Sequence, residues 1–318
     1  MSGATASKTH GDLLQRVTPH ILPIAIVLLV VAFSLLQPAF LKPENIIGIF
    51  RQMALVGIMA TCMTFVIMSG GVDLSVGPVL AISGLVAFFA LDAGLPLPLV
   101  LGSGLLLGVV IGLANGLIIA FLGLPPIIVT LATLSIVRGW ALILGGPEQH
   151  LIRNQEAYTF IGAGNLFGIP FSIFIFAAVA LLMIFLQRST ALGIVVSAIG
   201  ENERAAYLSG HRVRLTKTLI YGISGFGAAL AGIIQSSQVH TALATYGPFG
   251  TELDVIAAVV VGGTSIMGGN GSIARTVLGV LFLAVLNTGM NILNVSIDVQ
   301  LIVKGAIIVA ALALAGWR

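Results

Sequence analysis

The stretch Gly200–Lys217 reads GENERAAYLSGHRVRLTK and is the polar centre of an otherwise apolar chain. Seven of the 25 Asp, Glu, Lys and Arg residues (11 acidic and 14 basic) lie between Arg188 and Lys217. A polar run of this length among apolar runs is either a loop exposed to water or a surface on which another protein docks. We interpret Gln187–Lys217, called the polar segment below, as both.

The composition predicts an all-α polytopic membrane protein. The chain is 58% hydrophobic and 8% charged, with a mean hydropathy of +1.13, whereas soluble domains carry about 25% charged residues. At about 20 residues per spanning helix, its length holds roughly ten spans and leaves no room for a soluble domain. The one cysteine, Cys62, lies in an apolar run and is predicted to be a small buried hydrophobic residue.

The order of the apolar runs predicts about ten transmembrane helices with both termini in the cytoplasm. We expect a cytoplasmic tail over residues 1–19 and a single membrane domain over residues 20–318, which includes the polar segment. In this orientation nine Lys and Arg residues lie inside, three outside and two within spans, as the positive-inside rule requires. The predicted spans cover about residues 20–40, 52–69, 76–91, 97–122, 127–144, 170–186, 218–236, 252–263, 273–292 and 298–314.

Two glycine-broken turns are predicted to interrupt helical hairpins. Residues 69–77 read SGGVDLSVG and residues 261–272 read VGGTSIMGGNGS. Backbone groups freed by such breaks cannot face lipid and must face protein or a water-lined cavity, so paired breaks point to a transport path. The alternative is a turn with no contact to substrate. The path candidates are Ser69, Gly70, Gly71, Asp73, Ser75, Gly262, Gly263, Thr264 and Ser265, with Asn115, Arg138, Asn287 and Asn291 from other spans.

Polar side chains within the predicted spans allow structural explanations as well. Asp73 is suited to cap the amino end of the third span, where the helix dipole favours a carboxylate. Arg138 must find a carboxylate or a polar cavity. The asparagines Asn115, Asn287 and Asn291 either line a cavity or hydrogen-bond between helices.

Glycines repeat every four residues in the fourth span, at Gly104, Gly108, Gly112 and Gly116. This spacing places them on one face of a helix. Lipid is as apolar as leucine, so membrane helices associate through small faces that let their backbones approach closely. We therefore expect this face to pack against another helix.

Residues 201–210 of the polar segment are predicted to form a short helix. Asn202 is a suitable N-cap and Gly210 a suitable end. Ala205 and Ala206 fall on one turn and would give a small, shallow face that seats in a groove of another protein. The charged neighbours Glu201, Glu203 and Arg204 would fix its orientation. The alternative is a solvated loop.

Five segments carry a resemblance to a known family. They are G-x-N-x-x-A-A-x-x-S-G at 200–210, S-G-G-V-D-L-S-V-G at 69–77, L-D-V-I-A-A-V-V-V-G-G-T-S-x-x-G-G-x-G-S at 253–272, T-L-x-T-x-x-I-x-R-G at 130–139 and Q-x-x-V-K-G-x-I-I-V at 300–309. Over about residues 45–308 the chain resembles the permease subunits of bacterial sugar ABC importers of the ribose, xylose, galactose and autoinducer-2 type. It departs from them at His211, where the family usually has Ile.

The resemblance implies a multi-pass subunit of the bacterial inner (plasma) membrane that translocates a pentose-like or hexose-like monosaccharide. A separate subunit would hydrolyse ATP, so ATP and Mg would be bound there and this chain would hold no cofactor. The implied partners are a second copy, cytoplasmic ATP-binding subunits, a periplasmic or extracellular sugar-binding protein docking near 92–98, 145–169 and 240–251, membrane lipid and the sugar, with no nucleic acid. The implied ATPase-coupling loop is Gly200, Glu201, Asn202, Glu203, Arg204, Ala205, Ala206, Ser209 and Gly210.

The sequence carries no pattern of an enzyme. It lacks the G-x-x-x-x-G-K-[ST] phosphate loop, and its five histidines and one cysteine form no metal or nucleophile constellation. Two other functions stay open. A branched-chain amino-acid ABC permease would need fixed charges or helix ends for a zwitterionic substrate. An ATP-independent secondary transporter would need titratable groups at mid-membrane, where only Arg138 and Asp73 qualify.

Overall fold

The computed structural model of the chain describes residues 5–248 and 250–316, and over these residues it contains thirteen α-helices. Four two-residue strands and one 3-10 turn, Pro38–Leu41, complete the regular structure. The helices are α1 Thr5–Leu36, α2 Pro43–Met68, α3 Val76–Asp92, α4 Leu97–Leu122, α5 Pro126–Gly145, α6 Glu156–Ala163, α7 Phe171–Ser189, α8 Ala191–Glu201, α9 Glu203–Leu208, α10 Val213–Val239, α11 Thr251–Val261, α12 Ile273–Ile292 and α13 Ile297–Gly316.

Each of the ten predicted spans corresponds to one helix, which confirms an all-α polytopic fold. Six of these helices, α2, α4, α5, α7, α10 and α12, are long and apolar enough to cross a membrane. Helix α11 has only 11 residues, as expected of a helix next to a glycine break. Helix α1 begins at Thr5, so it includes most of the segment 1–19 that was predicted to be a cytoplasmic tail. Helices α6 and α8 lie in segments for which the sequence predicts no helix.

Helix α10 is the centre of the fold. It packs against α2, α3, α4 and α6, and 72% of the residues in its apolar stretch are buried, against 22% in α5. Its 27 residues span about 40 Å at 1.5 Å per residue. The first residues of α10 therefore belong to the polar segment, and the other end of the helix lies across the molecule from it.

The glycine face of α4 packs on its neighbours as predicted. A Cβ added to Gly108 would lie 2.5 Å from the Gly225 carbonyl oxygen, and one added to Gly116 would lie 2.6 Å from the Thr218 Cα. Gly112 faces the Tyr221 carbonyl even more closely. These glycines bring the backbones of α4 and α10 into contact, so their role in this structure is helix packing.

A small platform covers the far end of α10. Strand β1 (His150–Leu151) pairs antiparallel with β4 (Thr241–Ala242), and β2 (Asn165–Leu166) pairs antiparallel with β3 (Ile169–Pro170). The hydroxyls of Tyr158 in α6 and Ser236 in α10 are 2.7 Å apart. Burial raises the pKa of Tyr158 to about 12, so this hydroxyl stays protonated at neutral pH. We call residues 150–170 and 240–242 the strand platform.

Candidate coupling and translocation site

The polar segment is mostly helical. Helix α8 begins after Thr190, whose Oγ1 accepts a hydrogen bond from the Leu192 N–H at 3.2 Å. Helix α9 begins after Asn202, whose Oδ1 accepts from the Ala205 N–H at 2.9 Å, which confirms Asn202 as the N-cap. The helix ends at Leu208, Ser209 is its C-cap, and Gly210 follows with φ +84°. Such left-handed glycines commonly close helices because they lack a Cβ.

The prediction of a paired alanine face on α9 is wrong for Ala206. Its side chain is only 4% exposed and packs in a cluster with Ile199 and Val213. Successive helical residues are about 100° apart, so when Ala206 faces the protein its neighbours turn away. Ala205 and Leu208 are exposed, Leu208 by 76%. The face available to a partner is therefore Arg204, Ala205 and Leu208.

The two glycine-broken turns end their helices in the same way. We call residues 43–92 (α2, turn, α3) the first hairpin and residues 251–292 (α11, turn, α12) the second hairpin. In the first, the N–H groups of Gly70 and Gly71 donate to Ile67 O at 2.9 Å and Val66 O at 3.0 Å. In the second, those of Gly263 and Thr264 donate to Val260 O at 2.8 Å and Val259 O at 3.2 Å. Both pairs form a Schellman motif, with φ +80° at Gly70 and +88° at Gly263.

The tips of both hairpins meet the polar segment at one point. The Gly269 N–H donates to Met68 O at 2.8 Å, which links the second tip to the first. The Ser197 hydroxyl donates to Gly269 O at 2.6 Å. A Cβ on Gly268 would lie 2.8 Å from the Gly200 Cα, and one on Gly200 would collide with Met68 O and Gly269 N. We call Met68, Ser197, Gly200, Gly268 and Gly269 the glycine junction.

Gln187 adds a second connection between the polar segment and the second hairpin. Its Nε2 donates to Gly271 O at 3.0 Å, and its Oε1 accepts from the Ile273 N–H at 3.0 Å. Its Nε2 also lies 3.2 Å from the Met68 sulfur. No local sequence pattern identifies this glutamine as a site residue, because its amide contacts residues more than 80 positions away.

Asp73 fastens the first hairpin to the centre of the fold. Its Oδ1 accepts from the Ser75 N–H at 3.0 Å and from the Ser75 hydroxyl at 2.6 Å, and its Oδ2 accepts from the Ser224 hydroxyl of α10 at 2.7 Å. The prediction that Asp73 caps the third span is wrong, because α3 begins at Val76 and its N-cap is Ser75. The carboxylate instead bridges the turn and α10.

Asn115 extends this network into α4 and α5. Its Nδ2 donates to the Ser75 hydroxyl at 3.1 Å, and its Oδ1 accepts from the Thr133 hydroxyl at 2.5 Å. Asp73, Ser75 and Asn115 are each 1% exposed. In this conformation these candidates hold helices together; a role in lining the path stays a prediction.

Arg138 binds backbone carbonyls. Its Nη1 donates to Ala244 O at 2.6 Å and Tyr246 O at 2.8 Å, and its Nη2 donates to Gly247 O. The guanidinium therefore organises the chain between β4 and α11. A Cβ on Gly77, at the start of α3, would lie 3.0 Å from the Glu252 Oε2 and 3.9 Å from the Arg138 Nη2. The Glu252 carboxylate and the Arg138 guanidinium therefore both lie beside the first turn of α3.

The remaining path candidates fall in different surroundings. Asn287 is 5% exposed, its Oδ1 has no hydrogen-bond partner among the described residues, and it lines a small cavity of about 10 Å³ with Gln52 and Asp254. Asn291 is exposed and accepts from the Gln300 amide at 2.8 Å. Buried Thr264 likewise has an unpartnered hydroxyl within the described ranges. The other candidates, Ser69, Gly262 and Ser265, make backbone contacts at the hairpin turns.

Two observations complete the chemistry of the site. Lys304 of α13 forms an ion pair with Asp254 of α11, with Nζ and Oδ2 2.9 Å apart. In residues 5–248 and 250–316, no group of three or more His, Cys, Asp or Glu residues is placed to hold a metal ion. The structure therefore brings Gly200 together with both hairpin turns, and it brings Asp73 together with Ser75 and Asn115.

Comparisons with known proteins place this architecture in a family. A profile of the family described as "branched-chain amino acid transport system / permease component" matches residues 45–312. The ribose import permease of Bacillus subtilis (strain 168) is 40% identical over 318 residues, covering 96% of this chain and 95% of that protein. From Escherichia coli (strain K12), the galactofuranose transporter permease is 36% identical (93% and 89% covered) and the D-allose transport system permease 35% identical (90% and 88% covered). No solved structure matched the chain.

The chain therefore belongs to the family of permease subunits of bacterial sugar ABC importers. It is a multi-pass protein of the inner membrane. This confirms the resemblance drawn from the five sequence segments. The matched region begins at residue 45 and includes both hairpin turns, the whole second hairpin and the whole polar segment.

Proposed function

We propose that the chain is the transmembrane subunit of an ATP-binding-cassette importer for a monosaccharide, with ten spans and both termini in the cytoplasm. The names of the relatives support sugar transport. The distribution of Lys and Arg supports the orientation. The single observation that carries the proposal is the glycine junction, because it joins a solvent-facing segment to both glycine-broken hairpins.

The proposed mechanism starts at α9. A cytoplasmic ATP-binding subunit docks on Arg204, Ala205 and Leu208 and moves α9 when it closes on nucleotide. Because α9 packs through Ala206 on Ile199 of α8, the two short helices move together. The motion reaches the hairpin turns through the glycine junction, and a rigid-body change between two states opens the path on one side or the other.

The proposed assembly divides the remaining tasks among other chains. ATP and Mg bind in the partner subunit, and this chain is a non-catalytic permease that binds no cofactor. A second copy completes the membrane part, and lipid surrounds it. The strand platform, across the molecule from α9, receives the periplasmic or extracellular sugar-binding protein. The sugar passes beside the candidate residues of the two hairpins.

Reconstituted transport tests the proposed function. Proteoliposomes containing this permease, its ATP-binding subunit and its binding protein are expected to take up labelled ribose when ATP is supplied, and not labelled leucine. Uptake of leucine instead would favour the branched-chain amino-acid permease. Uptake driven by a proton gradient with no ATP-binding subunit present would favour the secondary transporter.

The docking face is tested by one substitution and two controls. Ala205→Glu adds a charge to the exposed face and is expected to abolish co-purification of the ATP-binding subunit while the permease still folds. Ala93→Glu, at another exposed alanine, should leave co-purification intact. Ala206→Glu should instead lower folding yield, because it buries a charge. Normal co-purification with Ala205→Glu would contradict the assigned face.

A further inference from the structure

An open groove lies beside α9 and shares Arg204 with the docking face. It has a volume of about 420 Å³ and lies between α9, the start of α10 and the end of α4. It is separate from the glycine junction, which α8 forms with the hairpin turns. Its lining residues are Ala120, Glu203, Arg204, Tyr207, Val213 and Arg214. We call it the basic groove.

The charges of the basic groove favour an anion. Glu203 is neutralised by Lys217, with Oε2 and Nζ 2.6 Å apart. Arg204 and Arg214 are both exposed and form no ion pair within the part of the chain that the structure describes. Arg214 stacks over Phe121, its guanidinium carbon 5.5 Å from the ring centroid, which holds it beside the groove. Because Lys217 and Glu203 neutralise each other, the groove keeps the two positive charges of Arg204 and Arg214.

The surroundings of the groove show which anion fits. Helix α4 ends beside it with Leu117, Phe121 and Leu122 exposed by 48%, 55% and 68%, and α10 begins with Leu215 and Leu219 exposed by 47% and 46%. In a multi-pass membrane protein, exposed apolar side chains of this kind face acyl chains. Basic pockets between helices at the inner membrane surface suit anionic head groups. A soluble anion would use the arginines but not the apolar faces.

We propose that the basic groove binds the head group of an anionic phospholipid, with its phosphate between Arg204 and Arg214 and its acyl chains along α4 and α10. The side of the membrane follows the orientation proposed above, whereas the chemistry of the site does not depend on it. Because Arg204 and Tyr207 belong to α9, the bound lipid holds this helix against the membrane surface. The lipid thereby adjusts the position of the face on which the ATP-binding subunit docks.

Binding of phosphatidylglycerol to the purified full-length permease in detergent tests the proposal. The wild type is expected to retain phosphatidylglycerol in native mass spectra and to gain thermal stability from it, but not from phosphatidylcholine. The double variant R204Q/R214Q is expected to bind phosphatidylglycerol about thirtyfold more weakly, given the usual contribution of each basic residue near an anionic surface. Both side chains are exposed, so its melting temperature without lipid should match that of the wild type.

A charge-matched control separates the groove from general attraction. R153Q/R188Q removes two exposed arginines outside the groove and should bind phosphatidylglycerol like the wild type. Three outcomes would overturn the proposal. They are equal binding by R204Q/R214Q, displacement of the lipid by millimolar inorganic phosphate, and a change in oligomeric state of R204Q/R214Q with lipid binding unchanged, which would assign the groove to a second copy.

Discussion

The first and second hairpins begin their turns with the same Schellman motif but are held in different ways. The first turn is fixed by the Asp73 carboxylate, which is 1% exposed and bonded to Ser75 and Ser224. The second turn is held by its backbone, at Gly269 and Gly271, against Ser197 and Gln187 of the polar segment. Its tip residue Met267 is 89% exposed.

This difference indicates that the two hairpins respond differently when the polar segment moves. A buried carboxylate that accepts three hydrogen bonds ties the first turn to α10, so displacing it would leave several donors unpaired. The second turn has its contacts with the segment on which the ATP-binding subunit is proposed to dock. We therefore expect the motion of the polar segment to move the second hairpin further than the first, which is tied to α10.

The largest expected effect is that of Asp73→Ala. The substitution leaves the Ser75 N–H and the hydroxyls of Ser75 and Ser224 without their acceptor. At about 1–3 kcal/mol for each buried unsatisfied group, the free energy of unfolding should fall by about 3 kcal/mol or more. The melting temperature and yield of the purified permease measure this loss. Asp92→Ala, at an exposed carboxylate, should change little, and an unchanged melting temperature for Asp73→Ala would remove the distinction between the hairpins.

Gly200→Ala is expected to affect transport more than folding. The added methyl group would meet Met68 O and Gly269 N, and overpacking of this kind costs about 1–3 kcal/mol. The glycine junction should open, so that ATP-dependent uptake falls at least several-fold while the protein still assembles with its ATP-binding subunit. Gly139→Ala is the control because nothing lies within 4 Å of its added Cβ. Wild-type uptake by Gly200→Ala would show that the junction does not transmit motion.

Gln187→Leu should have a smaller effect, limited to the second hairpin. It removes the bonds to Gly271 O and the Ile273 N–H, each contributing about 1 kcal/mol. Uptake per ATP hydrolysed should fall, because the polar segment then holds the second turn less firmly. Gln187→Glu keeps the acceptor for Ile273 and should be intermediate. If both variants coupled as the wild type does, Gln187 would have only a packing role.

Met267→Ala is expected to have the smallest effect. Its side chain is largely exposed, and surface substitutions usually change stability by no more than about 0.5 kcal/mol. Thermal melting and ATP-dependent uptake should both match the wild type. A loss of uptake with unchanged melting would mean that the second tip is held by a side chain rather than by its backbone.

The sequence predicted what depends on local composition and spacing. The apolar runs predicted the ten corresponding helices, the four-residue repeat predicted the glycine face of α4, and Asn202 was predicted as an N-cap from its neighbours alone. Prediction from the sequence was wrong or incomplete where a residue's role depends on contacts with residues far away along the chain. Ala206 faces inward because Val213 packs on it, and Arg138 finds carbonyls more than 100 residues away. Asp73 bonds to Ser224 instead of capping α3.

In the proposed orientation the polar segment lies in the cytoplasm and the strand platform lies outside the membrane. The chain has one cysteine, Cys62, which is buried, so a cysteine introduced on the surface can be labelled selectively. Leu208→Cys and Phe167→Cys replace side chains that are 76% and 92% exposed, in α9 and in the strand platform. A membrane-impermeant maleimide is expected to label Phe167→Cys in cells with a permeable outer envelope and an intact inner membrane, and Leu208→Cys only after that membrane is opened. Labelling of Leu208→Cys before opening would contradict the account.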